Sequence, residues 1–204
     1  MGAVKRFLIW SLILLCAGGW LLSGGREGFT GMGQEKTYTG TQPELHVTFQ
    51  YPETWPLHEE QGKLERYQLV RIMGPRNAEG TYTARLSAQG RPRKSAGGQY
   101  DSAEELAGHY QQHLLPEAKI LAEQRTTVAG VPAIDLTVEY TSPAIHHKGL
   151  RAVAVPVRER KIFFEKAAYL YELSYTADAG EYDRSAAAFD QLLQSFRVQD
   201  TPSP

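Results

Sequence analysis

The sequence has only one cysteine, and its charges lack an excess of either sign. Cys16 is the single cysteine among 204 residues, so the chain can form neither an internal disulfide nor a thiolate metal centre. The 22 Lys and Arg against 23 Asp and Glu give a formal net charge of -1. Nucleic-acid-binding proteins usually carry a basic excess on one face, so no nucleic-acid partner is expected.

Catalytic motifs are also missing. The sequence contains no Gly-x-Ser-x-Gly elbow, no Gly-rich phosphate loop after a strand and no His-Glu-x-x-His. Acid-base chemistry needs only a pair of carboxylates, but spacing selects no particular pair. The sequence therefore predicts a non-catalytic protein without a cofactor.

The N-terminal residues have the pattern of an export signal. Lys5 and Arg6 precede the apolar run 7–22, which predicts that residues 1–25 are a signal peptide or signal anchor and that 7–22 contact the membrane. The run is short for a hydrocarbon core of about 30 Å, which needs about 20 apolar residues. Small residues after it permit cleavage, so anchor and cleaved signal both stay open. Either way the basic residues favour an exported domain, on the periplasmic or outer side of a bacterial inner membrane or secreted.

Lipid attachment at Cys16 is disfavoured, because Leu14 and Leu15 precede it where a lipoprotein signal has a small residue. Residues 26–37, rich in Gly and polar residues, are interpreted as a tether. Residues 38–198 are predicted to form one folded domain and 199–204 a disordered tail.

Period-two alternation and runs rich in β-branched or aromatic residues predict six to eight strands, and short connections favour antiparallel pairing. The predicted strands are Leu45–Tyr51, Tyr67–Met73, Tyr82–Ala88, Ile120–Val128, Ile134–Tyr140, Leu150–Val157, Lys161–Lys166 and Ala168–Thr176. Arg158, Glu159 and Arg160 are interpreted as a solvated hairpin turn between two of them.

Two segments have a helical period. Ser102 and Glu105 form a capping box before a helix that Pro116 ends. Asp183–Ser195 presents an apolar stripe through Phe189 and Leu193. These elements predict the α+β class, an α/β/α sandwich in which helices cover a largely antiparallel sheet.

Several short motifs resemble those of the PsbP-like family. They are Phe49, Tyr51-Pro52, Trp55, Glu59-Glu60, Thr127–Ala133, Leu170-Tyr171, Phe189 and Ser195-Phe196. The resemblance covers roughly Tyr38–Val198 and implies a three-layer α/β/α sandwich around an antiparallel sheet. Members of the family are photosystem subunits, assembly factors or exported bacterial proteins of unknown role. The N-terminus lacks a plastid transit region, so a photosystem role is not expected, and no family cofactor residue is carried across.

Histidines supply the candidate metal ligands. Glu105, His109 and His113 follow one another at four-residue spacing along the first helix, which places three metal-capable side chains on one face. A solvated helix face explains the same spacing, and we prefer it because a structural site normally has four ligands. His146 and His147 form a second pair, but adjacent loop residues point in different directions.

Two further groups have a functional and a structural interpretation. Arg91, Arg93 and Lys94 lie in a predicted loop that either meets anionic headgroups or is simply solvated. Trp55, Tyr67, Tyr82 and the tyrosines of the last strand either line a ligand pocket or form core, and core is preferred. The sequence thus favours a membrane-tethered binding or assembly module with an unknown protein partner. The alternative is a small-molecule or metal-binding extracytoplasmic protein, including an enzyme, that uses the cleft beside the first helix.

Overall fold

A central antiparallel sheet organises the structure, a computed structural model that describes residues 33–62, 66–78, 80–142 and 154–199. Within these residues the sheet has seven strands. From one edge to the other they are β3 (Leu57–Gly62), β4 (Tyr67–Met73), β5 (Ala84–Pro92), β9 (Tyr169–Asp178), β8 (Val155–Lys166), β7 (Val131–Ser142) and β6 (Lys119–Val128). A second sheet joins β1 (Glu35–Thr39), β2 (Val47–Pro52) and β10 (Arg197–Val198), with β2 in the middle.

Two α-helices cover opposite faces of the central sheet. Helix α1 (Ala103–Gln112) packs Leu106 and Ala107 against a cluster that includes Phe163 of β8. Helix α2 (Tyr182–Ser195) packs Phe189 and Leu192 into a cluster that includes Ile162 and Phe164, the neighbours of Phe163. Successive strand residues point to opposite faces, so the two helices lie on either side of the sheet. The α+β class and the largely antiparallel sheet are confirmed.

The main core lies between the central sheet, α2 and the three-stranded sheet. Phe49 of β2 stacks on Tyr38 with ring centroids 4.9 Å apart and on Phe196 at 5.9 Å. Phe196 in turn contacts Tyr171 of β9 edge-on. Large rings contribute most of the buried area in such a core. The small sheet therefore forms part of the layer that holds α2.

One strand corrects the sequence analysis. Arg158–Arg160 is not a hairpin turn, because β8 runs without interruption from Val155 to Lys166. Its charged residues stay in a strand because each side chain has a partner of its own: Glu159 accepts from Tyr110 on the α1 face, and Arg160 binds Asp135 on the other face. Residues 143–153, which include the start of the predicted Leu150–Val157 strand, lie outside the described residues.

Two strands at the N-terminal side were missed. Strand β1 begins at Glu35, so the predicted tether 26–37 is wrong over its last three residues, which pair with β2. Strand β3 contains His58, Glu59 and Glu60 and lacks alternation in hydrophobicity. It is an edge strand, where charged residues are common because one side of the strand is open to solvent.

The capping box and the helical periods predicted both helices correctly. Ser102 Oγ accepts a hydrogen bond from the Glu105 amide at 3.1 Å, as the capping box predicts. The Glu105 carboxylate accepts from the Asp101 amide at 2.7 Å, one residue before the expected position. Both helices begin and end within a few residues of their predicted bounds.

No helix in the described ranges is long and apolar enough to cross a bilayer. The predicted signal 1–25 with its membrane segment 7–22, Cys16, most of the tether and the tail from 200 onward all lie outside those ranges.

Candidate functional site: a cleft beside the first helix

A cleft of about 400 Å³ opens between α1 and the sheet. Its lining comprises Arg91, Gln99, Tyr100, Leu106, His109, Tyr110, His113 and Glu172. The α1 side chains at 106, 109, 110 and 113 follow helical spacing and so form one wall. Arg91 of β5 and Glu172 of β9 belong to the sheet and form the floor. Clefts of this size hold small molecules or single side chains of a partner.

Behind the floor lies a chain of buried charges. Lys161 of β8 donates a hydrogen bond from Nζ to Glu172 Oε1. The same Nζ is 3.7 Å from Glu159 Oε1, and the Lys161 side chain is only 12% exposed. Alternation along β8 directs residues 159 and 161 to the α1 side of the sheet. Two carboxylates thus share one buried ammonium group.

Tyr110 joins this network from α1. Its hydroxyl donates to Glu159 Oε2 at 2.7 Å, and Thr176 donates to the other oxygen of Glu159 at 3.2 Å. Lys161 Nζ lies 4.7 Å from the centre of the Tyr110 ring. A buried carboxylate with several donors is stabilised in its ionised form. The network therefore fixes Tyr110 and the wall of the cleft.

The protonation of Lys161 and Tyr110 follows from these contacts. Burial alone would lower the pKa of Lys161, but the negative charges of Glu172 and Glu159 outweigh burial and raise it. Burial and the charge of Glu159 raise the pKa of Tyr110 far above its usual value. Lys161 is thus a cation and Tyr110 a neutral phenol at physiological pH.

Arg91 is the cation that reaches the cleft. Its Nη2 is 3.7 Å from Glu172 Oε2, and its guanidinium carbon is 5.9 Å from the centre of the Tyr100 ring. Its Nε is buried and has no hydrogen-bond partner among the described residues. The side chain is 17% exposed. Arg91 therefore has donor capacity that the described residues do not use.

The sequence-predicted metal ligands are only partly brought together. The rings of His109 and His113 are 4.1 Å apart between centroids, and both residues line the cleft. His113 Nδ1 is hydrogen-bonded to the His109 carbonyl at 2.7 Å. Glu105 does not line the cleft, since its carboxylate caps the start of α1. Over the described ranges, no cluster of three or more His, Cys, Asp or Glu side chains has the arrangement of a metal site.

The other candidate residues have mostly structural positions. His146 and His147 lie outside the described residues. Arg91 is not in a loop, as the sequence analysis placed it, but in β5, because its strand pairs with β9 as far as Pro92. Arg93 Nη1 lies 3.7 Å from Glu165 Oε1. Two of the three basic residues proposed for headgroup contact thus sit beside carboxylates.

The prediction that these aromatic residues form core is confirmed for three of them. Trp55, Tyr171 and Tyr175 are buried in the main cluster, whereas Tyr67 and Tyr82 are half-buried. Tyr82 lies at the surface under the guanidinium of Arg76. Trp55 and Tyr82 also line a separate pocket of about 410 Å³, and none of these five rings lines the cleft beside α1.

A larger groove of about 810 Å³ runs between α2 and the three-stranded sheet. Its polar side chains hold α2 in place. Asp190 binds Arg160, and Ser195 Oγ accepts a hydrogen bond from the backbone N–H of Gln50 at 2.8 Å. The groove therefore has a structural explanation that the cleft lacks.

Sequence reasoning missed the charged network at and behind the floor. In the sequence, Lys161 and Glu172 fall within predicted strands, and Glu159 falls within a predicted turn. Four consecutive charged residues, 158–161, directly before the apolar run Ile162–Phe164 were the available signal, because a strand between two covered faces has no solvated side for such charges.

The fold matches a known family over nearly the whole described domain. A family model described as PsbP-like protein matches residues 33–198. The chain belongs to the PsbP-like family. The resemblance that the short motifs indicated is thus confirmed, and the matched region begins before the predicted domain start at 38.

A solved structure of cyanobacterial PsbP supports the fold of this PsbP-like domain. Cyanobacterial PsbP (CyanoP) from Synechocystis sp. PCC 6803 has a TM-score of 0.53 and 15% identity, covering 86% of this chain and 98% of that one. LpqN, involved in cell envelope biogenesis of Mycobacterium tuberculosis, has a TM-score of 0.49 and 16% identity, covering 82% and 91%. No curated protein matches the sequence. At such low identity the likeness concerns the fold alone, which does not by itself imply a function.

Proposed function

We propose that this PsbP-like protein is an exported, membrane-tethered binding module without catalytic activity, and that the cleft beside α1 is its binding site. The observation that supports it best is the protonation of two groups at the cleft, Lys161 behind its floor and Tyr110 in its wall. Lys161 is held as a cation between two carboxylates, and Tyr110 is held neutral by Glu159. Nucleophiles and general bases need a pKa near the working pH, and neither group has one.

Fixed charges of this kind suit recognition. A network whose members are all paired keeps its geometry, and a rigid site loses less entropy when a partner binds. The aromatic wall offers Tyr100 and Tyr110, residue types that are enriched in binding sites because they give large contact area with a polar end. The cleft therefore has an apolar wall, a charged floor and a pre-formed shape.

The N-terminal sequence supports the location. Lys5 and Arg6 before the apolar run 7–22 favour a cytoplasmic N-terminus and an exported domain. Alkaline phosphatase fused after Pro204 is expected to be active in a bacterial host, and green fluorescent protein fused there to be dark. The opposite pair of results would contradict export.

Co-purification tests the binding role. The tagged full chain, extracted from its native membranes, is expected to retain a partner in fixed ratio. Replacement of Tyr100 and His109 by Ala, at the wall of the cleft, should release that partner. Arg184→Ala on α2, where the side chain is 76% exposed, should keep it. Retention in both variants, or turnover of a substrate by the purified chain, would contradict the proposal.

A second candidate, a small-molecule-binding protein, is favoured by the volume of the cleft. It shares the same site and the same residues, and its ligand class is derived below.

A further inference from the structure

We propose that the cleft beside α1 binds a small carboxylate with an aromatic or apolar body, and that Arg91 binds the carboxylate group. The inference rests on the proposed binding function and adds the chemical class of the ligand. Three features of the cleft carry it: unused donors on Arg91, the position of this cation at the cleft floor and an aromatic wall.

The unused donors belong to Arg91. Its Nε is buried without a partner among the described residues, and the nearest carboxylate oxygen, on Glu172, is 3.7 Å from Nη2. That distance permits electrostatic attraction but is longer than a hydrogen bond. A guanidinium presents its N–H groups as a planar fork that matches the two oxygens of a carboxylate. Because Nε itself is buried, a ligand carboxylate in the cleft would bind at the Nη groups, whose nearest carboxylate oxygen lies beyond hydrogen-bond distance.

The charge around Arg91 permits an anion. Glu172 lines the cleft, but its Oε1 accepts a hydrogen bond from Lys161, which offsets its charge. Arg91 and Lys161 together balance Glu172 and Glu159, and of these two cations Arg91 is the one that lines the cleft. Glu159 does not line the cleft, because its oxygens face Tyr110 and Thr176 behind the wall. Opposite charge at a partly buried site attracts more strongly than it would in water.

The aromatic wall of the cleft favours a ligand with an aromatic or apolar group. Tyr100, Leu106, Tyr110 and the two imidazoles line the volume of about 400 Å³ next to Arg91. The rings of Tyr100 and His109 lie 5.1 Å apart between centroids, so the rim is continuous. An apolar or aromatic group gains from burial against such a wall. A bare oxyanion such as phosphate would leave that wall empty.

Arg93 provides a matched control. It lies two residues after Arg91, its Nη1 is also 3.7 Å from a carboxylate oxygen, on Glu165, and its Nε is also buried without a partner among the described residues. It does not line the cleft. Equal changes at Arg91 and Arg93 therefore remove similar charge and similar packing, but only the first alters the proposed site.

Thermal denaturation of the full chain in detergent micelles, followed by differential scanning calorimetry, tests the proposal. The probes are benzoate, phenylacetate and 2-naphthoate, with benzamide as the neutral isostere and inorganic phosphate as the bare oxyanion. A ligand that binds the native state raises Tm, and the rise grows with the ratio of ligand concentration to Kd. At least one carboxylate should raise Tm, and benzamide and phosphate should not.

Arg91→Gln should weaken carboxylate binding on the order of 10- to 100-fold, as expected for a lost charge-assisted hydrogen bond. Arg93→Gln should leave it unchanged. Should Arg91→Gln fail to fold, Arg91→Lys replaces it and should weaken binding by about tenfold, because an ammonium group cannot bind both oxygens in the plane of the fork.

The proposal is overturned if none of the carboxylates binds, if benzamide or phosphate binds as well as they do, or if Arg93→Gln has the same effect as Arg91→Gln. Loss of a membrane partner in the Tyr100 and His109 variant does not depend on this result. The broader binding function would then stand while the ligand class fails.

Discussion

Arg160 of β8 holds the carboxylate of Asp135 with two of its nitrogens, Nη2 at 2.8 Å and Nε at 3.0 Å. Asp135 is 2% exposed and also accepts from Gln124 at 3.0 Å. The second Nη of Arg160 reaches Asp190 of α2 at 3.1 Å. One guanidinium thus connects the sheet to the helix on the face opposite the cleft.

The two aspartates should differ in their effect on stability. Asp135→Ala is expected to lower the free energy of unfolding by about 3 kcal/mol or more, since it leaves Arg160 without its buried partner. Asp190→Asn should lower it by less than about 1 kcal/mol, because an exposed ion pair contributes little. Urea denaturation of both variants measures the difference. Equal losses would contradict the buried role of Asp135.

The glycine at 90 is predicted to be sterically required. A Cβ at this position would lie 1.7 Å from the Glu44 carbonyl oxygen, which belongs to the short 3₁₀ turn Pro43–Leu45 on β5. Gly90→Ala is therefore expected to lower the free energy of unfolding by about 1–3 kcal/mol or more.

Gly108 in α1 provides the control for this substitution, because a Cβ there meets nothing within 4 Å. Gly108→Ala should stabilise the domain by about 0.5–1 kcal/mol through the higher helix propensity of alanine. If both alanines shift the urea midpoint in the same direction, the close approach of the turn to β5 is wrong.

The free energy of unfolding should decrease at alkaline pH and not near neutral pH. Burial raises the pKa of Tyr38 and of Tyr140 to about 12, and the pKa of Tyr110 and of Lys161 is also raised. A raised native pKa stabilises the fold fully below the unfolded value, about 10 for tyrosine, and this contribution is lost as the pH rises through the native value.

Urea melts at a series of pH values should therefore give a constant free energy of unfolding between about pH 7 and 9 and a decline above about pH 10. Tyrosinate absorbance should rise together with unfolding. Complete ionisation of the tyrosines near pH 10 in a still folded domain would contradict the burial of their hydroxyls.

Chelation tests the histidine pair on α1. His109 and His113 supply two ligands, and a tight zinc site normally has three or four. We predict that ethylenediaminetetraacetate leaves the Tm of the full chain unchanged, and that the His109→Ala, His113→Ala double variant has the same Tm with and without it. A chelator-induced fall in Tm that the double variant lacks would establish a metal site.

Local chemistry made much of the fold predictable. Strand β4 has the bounds that its β-branched and aromatic residues predicted, and Ser102 caps α1 as its sequence spacing predicted. Strand β3 was missed because Glu59 and Glu60 sit on an open edge, where no hydrophobic alternation is needed.

The charged network at and behind the cleft floor was not predictable from local sequence pattern. Lys161, Glu159 and Glu172 look like solvated charges in the sequence, and only the pairing of β8 with β9 brings them together under Tyr110. Their burial depends on partners that are distant along the chain. The four-residue spacing of the histidines on this side of α1 was visible in the sequence. That spacing fits a cleft wall as well as a metal site.

A photo-crosslinking residue at position 109, compared with one at position 184 in the full chain in its native membrane, tests the central claim most directly. His109 lies at the cleft wall, whereas Arg184 lies on α2 across the sheet. The account predicts an adduct of defined mass from position 109, absent at position 184 and lost when Tyr100→Ala is added. No adduct at 109, or the same adduct from both positions, would contradict the cleft as the binding site.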